Sequence, residues 1–337
     1  MTVRIAVDAL GGDRGPEAIV SGAVEATGVE PILFGPAGLD THGLELVPTT
    51  QEIAMDEKPA EAVRSKPDSS LVAACRAVGE GRADAVVSAG NTGAMLAACL
   101  LEFRRLPGVM RPAIAAPLPA MEGVSVLIDS GANADARPEH LLQFAYMGAI
   151  FAEEILGIER PSVRLLSIGE EPEKGNQLTL EAHELLAGSD LRFEGNTESR
   201  DLLKGAADVV VCDGFTGNIA LKLMEGTIKT FLSALREETL RTRKGKVGGL
   251  LIRGAARGLR DRLDPDTYGG AYLLGLNGLA VIAHGNSSPK AIANAIGLAA
   301  RGVEHDVVGR LAERFPERPP KAVLTSARSQ TDSRQEE

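Results

Sequence analysis

Short apolar runs alternate with longer amphipathic segments along most of the 337-residue chain. The runs 3–9 and 209–211 are rich in β-branched residues, which is typical of strands buried on both faces of a sheet. The segment 138–156 carries apolar residues at helical spacing and predicts an amphipathic helix. This alternation predicts an α/β protein with a largely parallel sheet and helices on both faces.

The pattern predicts an ordered succession of elements up to about residue 302. The predicted strands cover 3–9, 31–34, 44–47, 113–117, 124–128, 163–168, 209–211 and the first halves of 84–93 and 278–288. The predicted helices cover 16–27, 59–64, 69–79, 138–156, 291–302, and segments that end near residues 105, 187 and the 240s. We therefore expect a single catalytic domain over 1–317. The Pro-, Ser- and charge-rich end predicts a disordered tail over 318–337.

Two of the strand-to-helix turns share one pattern. Residues 84–93 are D-A-V-V-S-A-G-N-T-G, and residues 208–217 are D-V-V-V-C-D-G-F-T-G. The aspartate, two valines, both glycines and the threonine coincide. A glycine-containing turn of this kind points backbone N–H groups, and the positive end of a helix, at the space above it. The repeated pattern predicts a binding site for an anion.

Polar, glycine-bearing turns follow six of the predicted strands. They are 10–15, 88–93, 129–133, 169–176, 212–218 and 284–288. Ligands of open parallel sheets bind beyond the carboxyl ends of the strands. We therefore expect the six turns to lie along one edge of the sheet and to form the active site there.

Composition narrows the class of partner. The net charge of −10, an aromatic content of 3% and the absence of Trp argue against nucleic-acid binding. Cys75, Cys99 and Cys212 show no C-x-x-C spacing, which predicts reduced thiols in a cytoplasmic protein. No apolar run reaches the roughly 18 residues of a membrane span, and residues 1–8 predict a strand rather than a signal peptide.

Several familiar catalytic motifs are missing. No G-x-G-x-x-G follows a predicted strand, and neither G-x-x-x-x-G-K-[ST] nor G-x-S-x-G occurs in the sequence. The five histidines show no metal-ligand spacing with cysteine or with each other. We predict no metal and no cofactor, with a divalent ion held by Asp8, Asp13 or Asp213 as the alternative.

The six turns supply backbone N–H groups, short polar side chains and two basic candidates. Lys174 lies in a glycine-flanked loop from which an ammonium group can reach a phosphate; the alternative is a solvated surface lysine. His284 ends an apolar strand and is either a donor to an anion or a hydrogen-bonded structural residue. Such a site suits phosphate or acyl-phosphate chemistry, in which positioning and charge stabilisation do most of the catalysis.

Seven stretches together resemble the PlsX family of phosphate acyltransferases. They are D-A-L-G-G-D (8–13), S-A-G-N-T-G-A (88–94), D-S-G-A-N (129–133), I-G-E-E-P-E-K-G (168–175), D-G-F-T-G-N (213–218), Y-G-G-A (268–271) and H-G-N-S-S (284–288). The resemblance implies that inorganic phosphate attacks the thioester of a long-chain acyl-acyl-carrier-protein (acyl-ACP), giving free ACP and acyl phosphate for phospholipid synthesis. It also implies a Rossmann-like, three-layer α/β/α fold, similar to phosphotransacetylases and isocitrate-dehydrogenase-like enzymes, in a homodimer.

The resemblance further implies roles for individual residues. Lys174 and Asn218 become the predicted catalytic residues, which hold phosphate and stabilise the oxyanion. The sequence departs from the family pattern at Arg14 and Gly15, where His-Ala is usual, and at Tyr272, where Pro is usual. We expect added charge near the anion site from the first change and an altered turn from the second. The predicted phosphate- and substrate-binding residues are Gly12, Asp13, Ser88, Asn91, Thr92, Asn133, Asp213, Thr216, His284 and Ser287.

The segment 241–263 is strongly basic and predicts an amphipathic helix. Residues 241–262 contain eight Lys and Arg residues but only one acidic residue, Asp261. Three interpretations remain: a solvated helix packed on its own core, a helix lying on anionic lipid, and a docking surface for the acidic carrier protein. We expect peripheral contact with an anionic membrane and with the acyltransferase that uses the acyl phosphate.

Other functions compete with acyl-ACP:phosphate acyl transfer. A short-chain phosphotransacetylase that uses acyl-CoA is the nearest. An oxidoreductase of the isocitrate dehydrogenase type shares the fold class, but its Asp and Arg set is not evident. A non-catalytic lipid- or carrier-binding scaffold has no need of so many polar turns at strand ends.

Overall fold

A computed structural model describes residues 2–121 and 123–315. The predicted tail, 318–337, lies outside the described residues. The strands are β1 (Val3–Asp8), β2 (Val29–Gly35), β3 (Glu45–Pro48), β4 (Ala85–Ser88), β5 (Ala113–Pro119), β6 (Val124–Ile128), β7 (Ser162–Leu166), β8 (Arg192–Thr197), β9 (Val209–Val211), β10 (Ala271–Leu274) and β11 (Leu279–Ile282). The α-helices are α1 (Gly15–Glu25), α2 (Pro59–Ser65), α3 (Ser70–Gly79), α4 (Thr92–Glu102), α5 (Pro138–Leu156), α6 (Gln177–Ala187), α7 (Gly214–Arg241), α8 (Arg243–Leu263), α9 (Pro289–Glu304) and α10 (Val307–Arg314).

All of these strands belong to one sheet in the order β3-β2-β1-β4-β11-β10-β5-β6-β9-β7-β8. Most neighbouring pairs are parallel, which confirms the predicted sheet type. Side chains alternate between the two faces: Val126 and Ile128 belong to the core under α5, whereas Leu127 packs on the opposite face near α7. Helices α1, α5, α6, α9 and α10 cover one face, and α3, α4 and α7 the other. The three-layer α/β/α prediction is confirmed.

The strand directions differ from the prediction. β10 pairs antiparallel with β11 and β5, and β5 pairs antiparallel with β6. The turns 10–15, 88–93 and 284–288, called here the forward turns, follow β1, β4 and β11. The turns 129–133, 169–176 and 212–218, called the reverse turns, follow β6, β7 and β9, which run the opposite way. The prediction of one common edge is wrong, because the antiparallel strands in the middle of the sheet reverse its direction.

The strand register nevertheless places both groups of turns at about the same height along the strand direction. Ile128, which ends β6, pairs with Ala115, and Ala115 pairs with Tyr272. Tyr272 in turn pairs with Val281, one residue before the end of β11. The carboxyl ends of the two halves of the sheet therefore face each other across β10 and β5.

Three elements were not predicted, and one begins earlier than expected. β8 has only one large apolar residue, Phe193, and lies at the edge of the sheet. β10 and α10 are short, and β10 lies between glycines. α7 begins at Gly214 rather than near residue 219, because Asp213 caps it there by accepting a hydrogen bond from the Thr216 N–H.

The two longest helices leave most of their surface uncovered. α7 buries only Gly214 and Gly217, and α8 buries none of its residues. They pack against each other as a helical hairpin. Among residues 2–121 and 123–315, no helix combines the length and hydropathy needed to cross a bilayer.

Candidate active site

The carboxylate of Asp8, the last residue of β1, connects β1 to the end of β4 and to the start of α3. Its Oδ1 accepts a hydrogen bond from Ser70 Oγ at 2.6 Å, and its Oδ2 accepts one from Ser88 Oγ at 2.7 Å. Burial raises the pKa of Asp8, and the hydrogen bonds act in the opposite direction. The Ser88 hydroxyl, predicted to bind substrate, is thus used to join β4 to β1.

The backbone brings the three forward turns into close contact. The Asp13 N–H donates a hydrogen bond to the carbonyl of Gly285 at 2.6 Å. A Cβ atom on Gly11 would lie 2.8 Å from the nitrogen of Gly90. Gly12 has a φ of +109°, which favours glycine. The glycines at these positions permit a close approach of backbones that side chains would block.

Asp129, directly after β6, organises one of the reverse turns. Its Oδ1 accepts hydrogen bonds from the N–H groups of Ile114, Gly131 and Ala132. Its Oδ2 accepts one from the Asn133 N–H at 2.7 Å and one from Asn133 Nδ2 at 2.8 Å. Burial raises the pKa of Asp129, although the hydrogen bonds favour its ionised form. The carboxylate therefore holds the loop 129–133 in one shape.

The first turn of α7 rests directly on that loop. The Gly214 N–H donates to the carbonyl of Asn133 at 2.8 Å. A Cβ atom on Gly217 would collide with the carbonyl oxygen of Asp129. The two glycines of the repeated pattern therefore serve helix packing in this copy. They set the start of α7 against the end of β6.

Asn218 lies one turn into α7, beside the loop 129–133. It is partly buried, and a Cβ atom on Gly131 would lie 3.7 Å from its own Cβ. Just before it, the Asp213 carboxylate accepts hydrogen bonds from the N–H and the hydroxyl of Thr216. Asp213 and Thr216 thus cap the helix that presents Asn218.

A cavity of about 490 Å³ lies between the forward and the reverse turns. The polar residues of its lining are Asp13, Gly90, Thr92, Ser130, Gly131, Asn218, Lys222, Glu225, Tyr268, His284, Gly285 and Asn286. Its apolar lining includes Ile114, Ala116, Pro117 and Pro119 of β5 and Leu221, Met224 and Ile228 of α7. The cavity therefore offers hydrogen-bonding groups to an anion and an apolar surface to a hydrocarbon chain.

His284 is a cavity residue whose pKa is raised. Its Nε2 lies 3.1 Å from Glu225 Oε1 on α7, and its side chain is 48% exposed. The hydrogen bond to the Glu225 carboxylate raises the pKa of His284, whereas burial lowers it to a smaller extent. The ring therefore carries a positive charge over a wider pH range than a free histidine does, which suits contact with an anion.

The N-terminus of α4 also faces the cavity, through Thr92, its first residue. Asn91 caps this helix: its Oδ1 accepts from the Ala94 N–H, and its Nδ2 donates to the carbonyls of Met55 and Glu57. The partial positive charge of a helix N-terminus favours anions. Asn91 therefore holds the helix end in place, and Thr92 lies at the cavity.

The predicted binding residues fall into two groups. Asp13, Thr92, Asn218 and His284 line the cavity. The others lie in the same turns behind it, where they cap helices, join strands or permit tight turns: Gly12, Ser88, Asn91, Asn133, Asp213, Thr216 and Ser287.

Lys174 lies apart from this group. It is exposed in the loop after β7, where its N–H donates to the carbonyl of Glu171 and its own carbonyl accepts from Ser167 Oγ. It is not among the residues that line the cavity. Its catalytic role stays a prediction.

Glu225, Lys222 and Ser130 are cavity residues that the sequence analysis missed. Asn218, Lys222 and Glu225 follow one another at i, i+4 and i+7, so they share one face of α7. That spacing is the signal that could have identified the two charged residues. Ser130 follows Asp129 in a turn already singled out, and nothing in its residue type distinguishes it.

Both departures from the family pattern can now be located. Tyr272 lies inside β10, fully buried, with its ring centroid 4.9 Å from that of Phe151 and its hydroxyl donating to the carbonyl of Leu298. The expectation of an altered turn is wrong, because the residue belongs to the core. Arg14 is exposed just before α1.

Thiol and metal chemistry have little support in this site. Cys75, Cys99 and Cys212 are buried and free, as expected. Burial raises the pKa of Cys212 well above its usual value, so its thiolate is disfavoured. In the part of the chain that the structure describes, no three His, Cys, Asp or Glu side chains are grouped so that they could hold a metal ion.

Comparison with known proteins identifies the family of the chain. Residues 3–310 match the model of the family described as "Fatty acid synthesis protein". The phosphate acyltransferase of Heliobacterium modesticaldum is 47% identical over 328 residues, covering 93% of this chain and 98% of that relative. The phosphate acyltransferase of Moorella thermoacetica is 46% identical over 323 residues, covering 92% and 95%.

Solved structures share the fold at low identity. A phosphotransacetylase from Streptococcus pyogenes superposes with a TM-score of 0.60 at 18% identity, covering 90% of this chain and 94% of the other. A branched-chain phosphotransacylase from Enterococcus faecalis V583 gives 0.59 at 17% identity, covering 90% and 100%. These likenesses confirm the predicted fold class. The family match and the relatives show that the chain belongs to the PlsX family of phosphate acyltransferases.

Proposed function

We propose that this enzyme transfers a long-chain acyl group from acyl-ACP to inorganic phosphate, giving acyl phosphate for phospholipid synthesis. The observation that carries the proposal is the cavity, whose lining combines hydrogen-bonding groups with apolar side chains. The hydrogen-bonding groups suit phosphate and the apolar side chains suit a long acyl chain. The relatives named phosphate acyltransferase support the same reaction. We assign it to one catalytic domain over 1–317.

The proposed chemistry needs no covalent enzyme intermediate. A phosphate oxygen attacks the thioester carbonyl carbon, the new C–O bond forms, and the C–S bond breaks to release the carrier thiol, which takes up a proton. The enzyme positions the two substrates and stabilises the negative charge that develops on the carbonyl oxygen. Cys212 is not required as a nucleophile, in agreement with its buried thiol.

Each cavity residue then has a task. Thr92, at the N-terminus of α4, and the protonated ring of His284 hold the phosphate. The Asn218 amide donates a hydrogen bond to the developing oxyanion. Lys174 approaches the phosphate by movement of its loop, which Gly169 and Gly175 flank. These residues need no metal or cofactor to perform the transfer.

The decisive assay follows release of the ACP thiol from palmitoyl-ACP, with hydroxylamine present to trap an acyl phosphate. Phosphate-dependent release with formation of the hydroxamate supports the proposal. Release without phosphate indicates a thioesterase, and no release favours a non-catalytic scaffold. Comparison of palmitoyl-ACP with acetyl-CoA separates the proposed reaction from that of a short-chain phosphotransacetylase.

We also propose that the enzyme works as a homodimer. α7 exposes Phe215, Ile219 and Leu223 at i, i+4 and i+8, and Phe231 further along; their exposed fractions lie between 50% and 68%. Such an apolar stripe on a long helix favours cover by another chain. Light scattering coupled to gel filtration tests this; a monomeric mass at micromolar concentration would contradict it.

Peripheral contact with an anionic membrane completes the proposal, together with a cytoplasmic location. α8 exposes Leu250 to 69% and Leu251 to 81%, and its basic residues lie on the same helix. Apolar and basic side chains together are what a helix needs to lie on anionic lipid. Docking of the acidic carrier, and contact with the acyltransferase that consumes the product, are the competing uses of this surface.

A further inference from the structure

A second cavity, of about 500 Å³, adjoins the first. It lies between the start of α1, the middle of α7 and the end of α8. Six residues border both cavities: Lys222, Glu225, Ile228, Leu263, His284 and Asn286. Because the two spaces adjoin at these residues, a molecule bound in the first cavity can extend into the second.

The second cavity carries an excess of positive charge. Arg14, Lys222, Lys229 and Arg260 contribute to its lining, from α7, α8 and the residue before α1. Among the described residues, only Arg260 of these four forms an ion pair, with Asp261 at 3.5 Å. Four cations from three parts of the chain meet around one space.

The acids of this cavity already have partners. Glu225 binds His284. Asp266 Oδ2 accepts a hydrogen bond from Ser288 Oγ at 2.6 Å, and Asp264 Oδ1 accepts one from the Asp266 N–H at 3.1 Å. The four cations outnumber the three acids, and Glu225 is already paired with His284, so the remaining positive charge makes the space attractive to a phosphate group.

We propose that the second cavity binds the phosphodiester of the pantetheine arm that carries the substrate thioester. This inference rests on the proposed function. The arm of an acyl carrier bears its sulfur at one end and a phosphodiester at the other. With the thioester beside Asn218 and the acyl chain along β5, the arm leaves past His284 and Leu263 and places its phosphodiester among Arg14, Lys222 and Lys229.

This arrangement fixes the direction from which the thioester enters. The carrier stands outside the second cavity, near the start of α1 and the hairpin of α7 and α8, while inorganic phosphate occupies the first cavity. The enzyme then distinguishes a thioester on a phosphorylated arm from the same thioester on unphosphorylated pantetheine. Arg14, which departs from the family pattern, strengthens that discrimination in this chain.

The test compares octanoyl-phosphopantetheine with octanoyl-pantetheine, two free thioesters that differ only in the phosphate. For the double variant Arg14→Ala/Lys229→Ala, we expect the KM for octanoyl-phosphopantetheine to rise roughly tenfold, equivalent to about 1.4 kcal/mol. The KM for octanoyl-pantetheine and the KM for inorganic phosphate should stay unchanged. Arg236→Ala is the matched control, because Arg236 lies two turns after Lys229 on α7 but does not line the cavity.

Three results would overturn the proposal. The first is an equal change in KM for both thioesters in the double variant, and the second is no change in KM for either. The third is a higher KM for inorganic phosphate, which would assign the second cavity to that substrate. Calorimetric titration of both thioesters into wild type and variant measures the same difference without turnover. If wild type forms no acyl phosphate, the proposed function fails, whereas the binding preference for the phosphorylated thioester still decides the present inference.

Discussion

Glu225 Oε1 lies 3.1 Å from His284 Nε2, and this pair joins the middle of α7 to the turn after β11. The pair is shared by both cavities, so it lies where the phosphate, the thioester and the carrier arm would meet. Lys222 and Asp266 are the other charged groups that act on the ring. The protonation state of His284 therefore depends on α7 as much as on its own turn.

We expect phosphate binding to weaken as pH rises through the raised pKa of His284. Because the folded protein favours the protonated ring, its contribution is complete below the ordinary histidine pKa and is lost as the ring deprotonates. Glu225→Gln lowers the pKa of His284, so the loss should begin at lower pH. NMR titration of the His284 ring measures the shift of its pKa. The KM for phosphate, taken at each pH as the ratio of variant to wild type, measures the effect on phosphate binding.

Taking the ratio cancels the titration of phosphate itself. Glu181→Gln serves as control, because Glu181 is an exposed helical acid outside both cavities. An unchanged His284 titration in Glu225→Gln would contradict the role of the pair.

Asn218→Ala should lower kcat by about 10²-fold, the usual effect of removing one oxyanion donor. The KM for phosphate should change little, since Asn218 is assigned to the thioester oxygen. The thermal midpoint should stay near that of wild type, because the side chain borders a cavity rather than the core. Steady-state kinetics with palmitoyl-ACP and a thermal melt provide both readouts; a large rise in the KM for phosphate with unchanged kcat would contradict the assignment.

Asp129→Asn should destabilise the protein by about 2–4 kcal/mol, because an amide nitrogen would replace an oxygen that accepts buried N–H groups. Oδ1 accepts three hydrogen bonds and Oδ2 two, so neither orientation of the amide satisfies them. Urea denaturation measures the loss. Asp190→Asn, at an exposed hydroxyl contact of Tyr146, is the comparison and should cost far less. Equal stability of the two variants would contradict the organising role of Asp129.

The sequence was sufficient for most of the elements and insufficient for the direction of the strands in the sheet. β6 and α5 have the predicted bounds because their apolar patterns are long and regular. The reversal comes from the antiparallel pairing of β5 with β6, because β10 is antiparallel to both β11 and β5 and leaves those two strands running the same way. If that pairing is not recognised, the chain reads as a uniformly parallel sheet with one active edge. Strand pairing is a long-range property, and local pattern does not determine it.

The site shows a similar limit. Asn91 and Asn218 both occur in glycine-rich turns between a strand and a helix, yet only Asn218 lines the cavity. The side-chain amide of Asn91 already has partners, because the loop containing Met55 and Glu57 brings two carbonyls to it. Residue type identified the right turns, but tertiary contacts decide which polar side chains remain available to a ligand.

Lys174→Ala should leave the fold intact and lower turnover strongly, on the order of 10²-fold if the ammonium stabilises transferring charge. The side chain is exposed, so the thermal midpoint should not change. Lys58→Ala, at another exposed lysine that lines neither cavity, is the control. Unchanged turnover with palmitoyl-ACP would rule out the catalytic role. The exposed position of the Lys174 loop would then also be its position during turnover.

Leu250→Glu/Leu251→Glu should abolish binding to vesicles that contain anionic phospholipid. Both side chains are exposed on α8, and burying charge in the lipid interface is unfavourable. Turnover of a soluble octanoyl thioester should stay unchanged, because neither residue lines a cavity. Leu101→Glu, at a 58% exposed position on α4, is the control and should bind vesicles like wild type. Flotation in a density gradient separates the outcomes: retained vesicle binding with impaired transfer from acyl-ACP would assign the surface to the carrier, because only carrier docking distinguishes acyl-ACP from the free thioester.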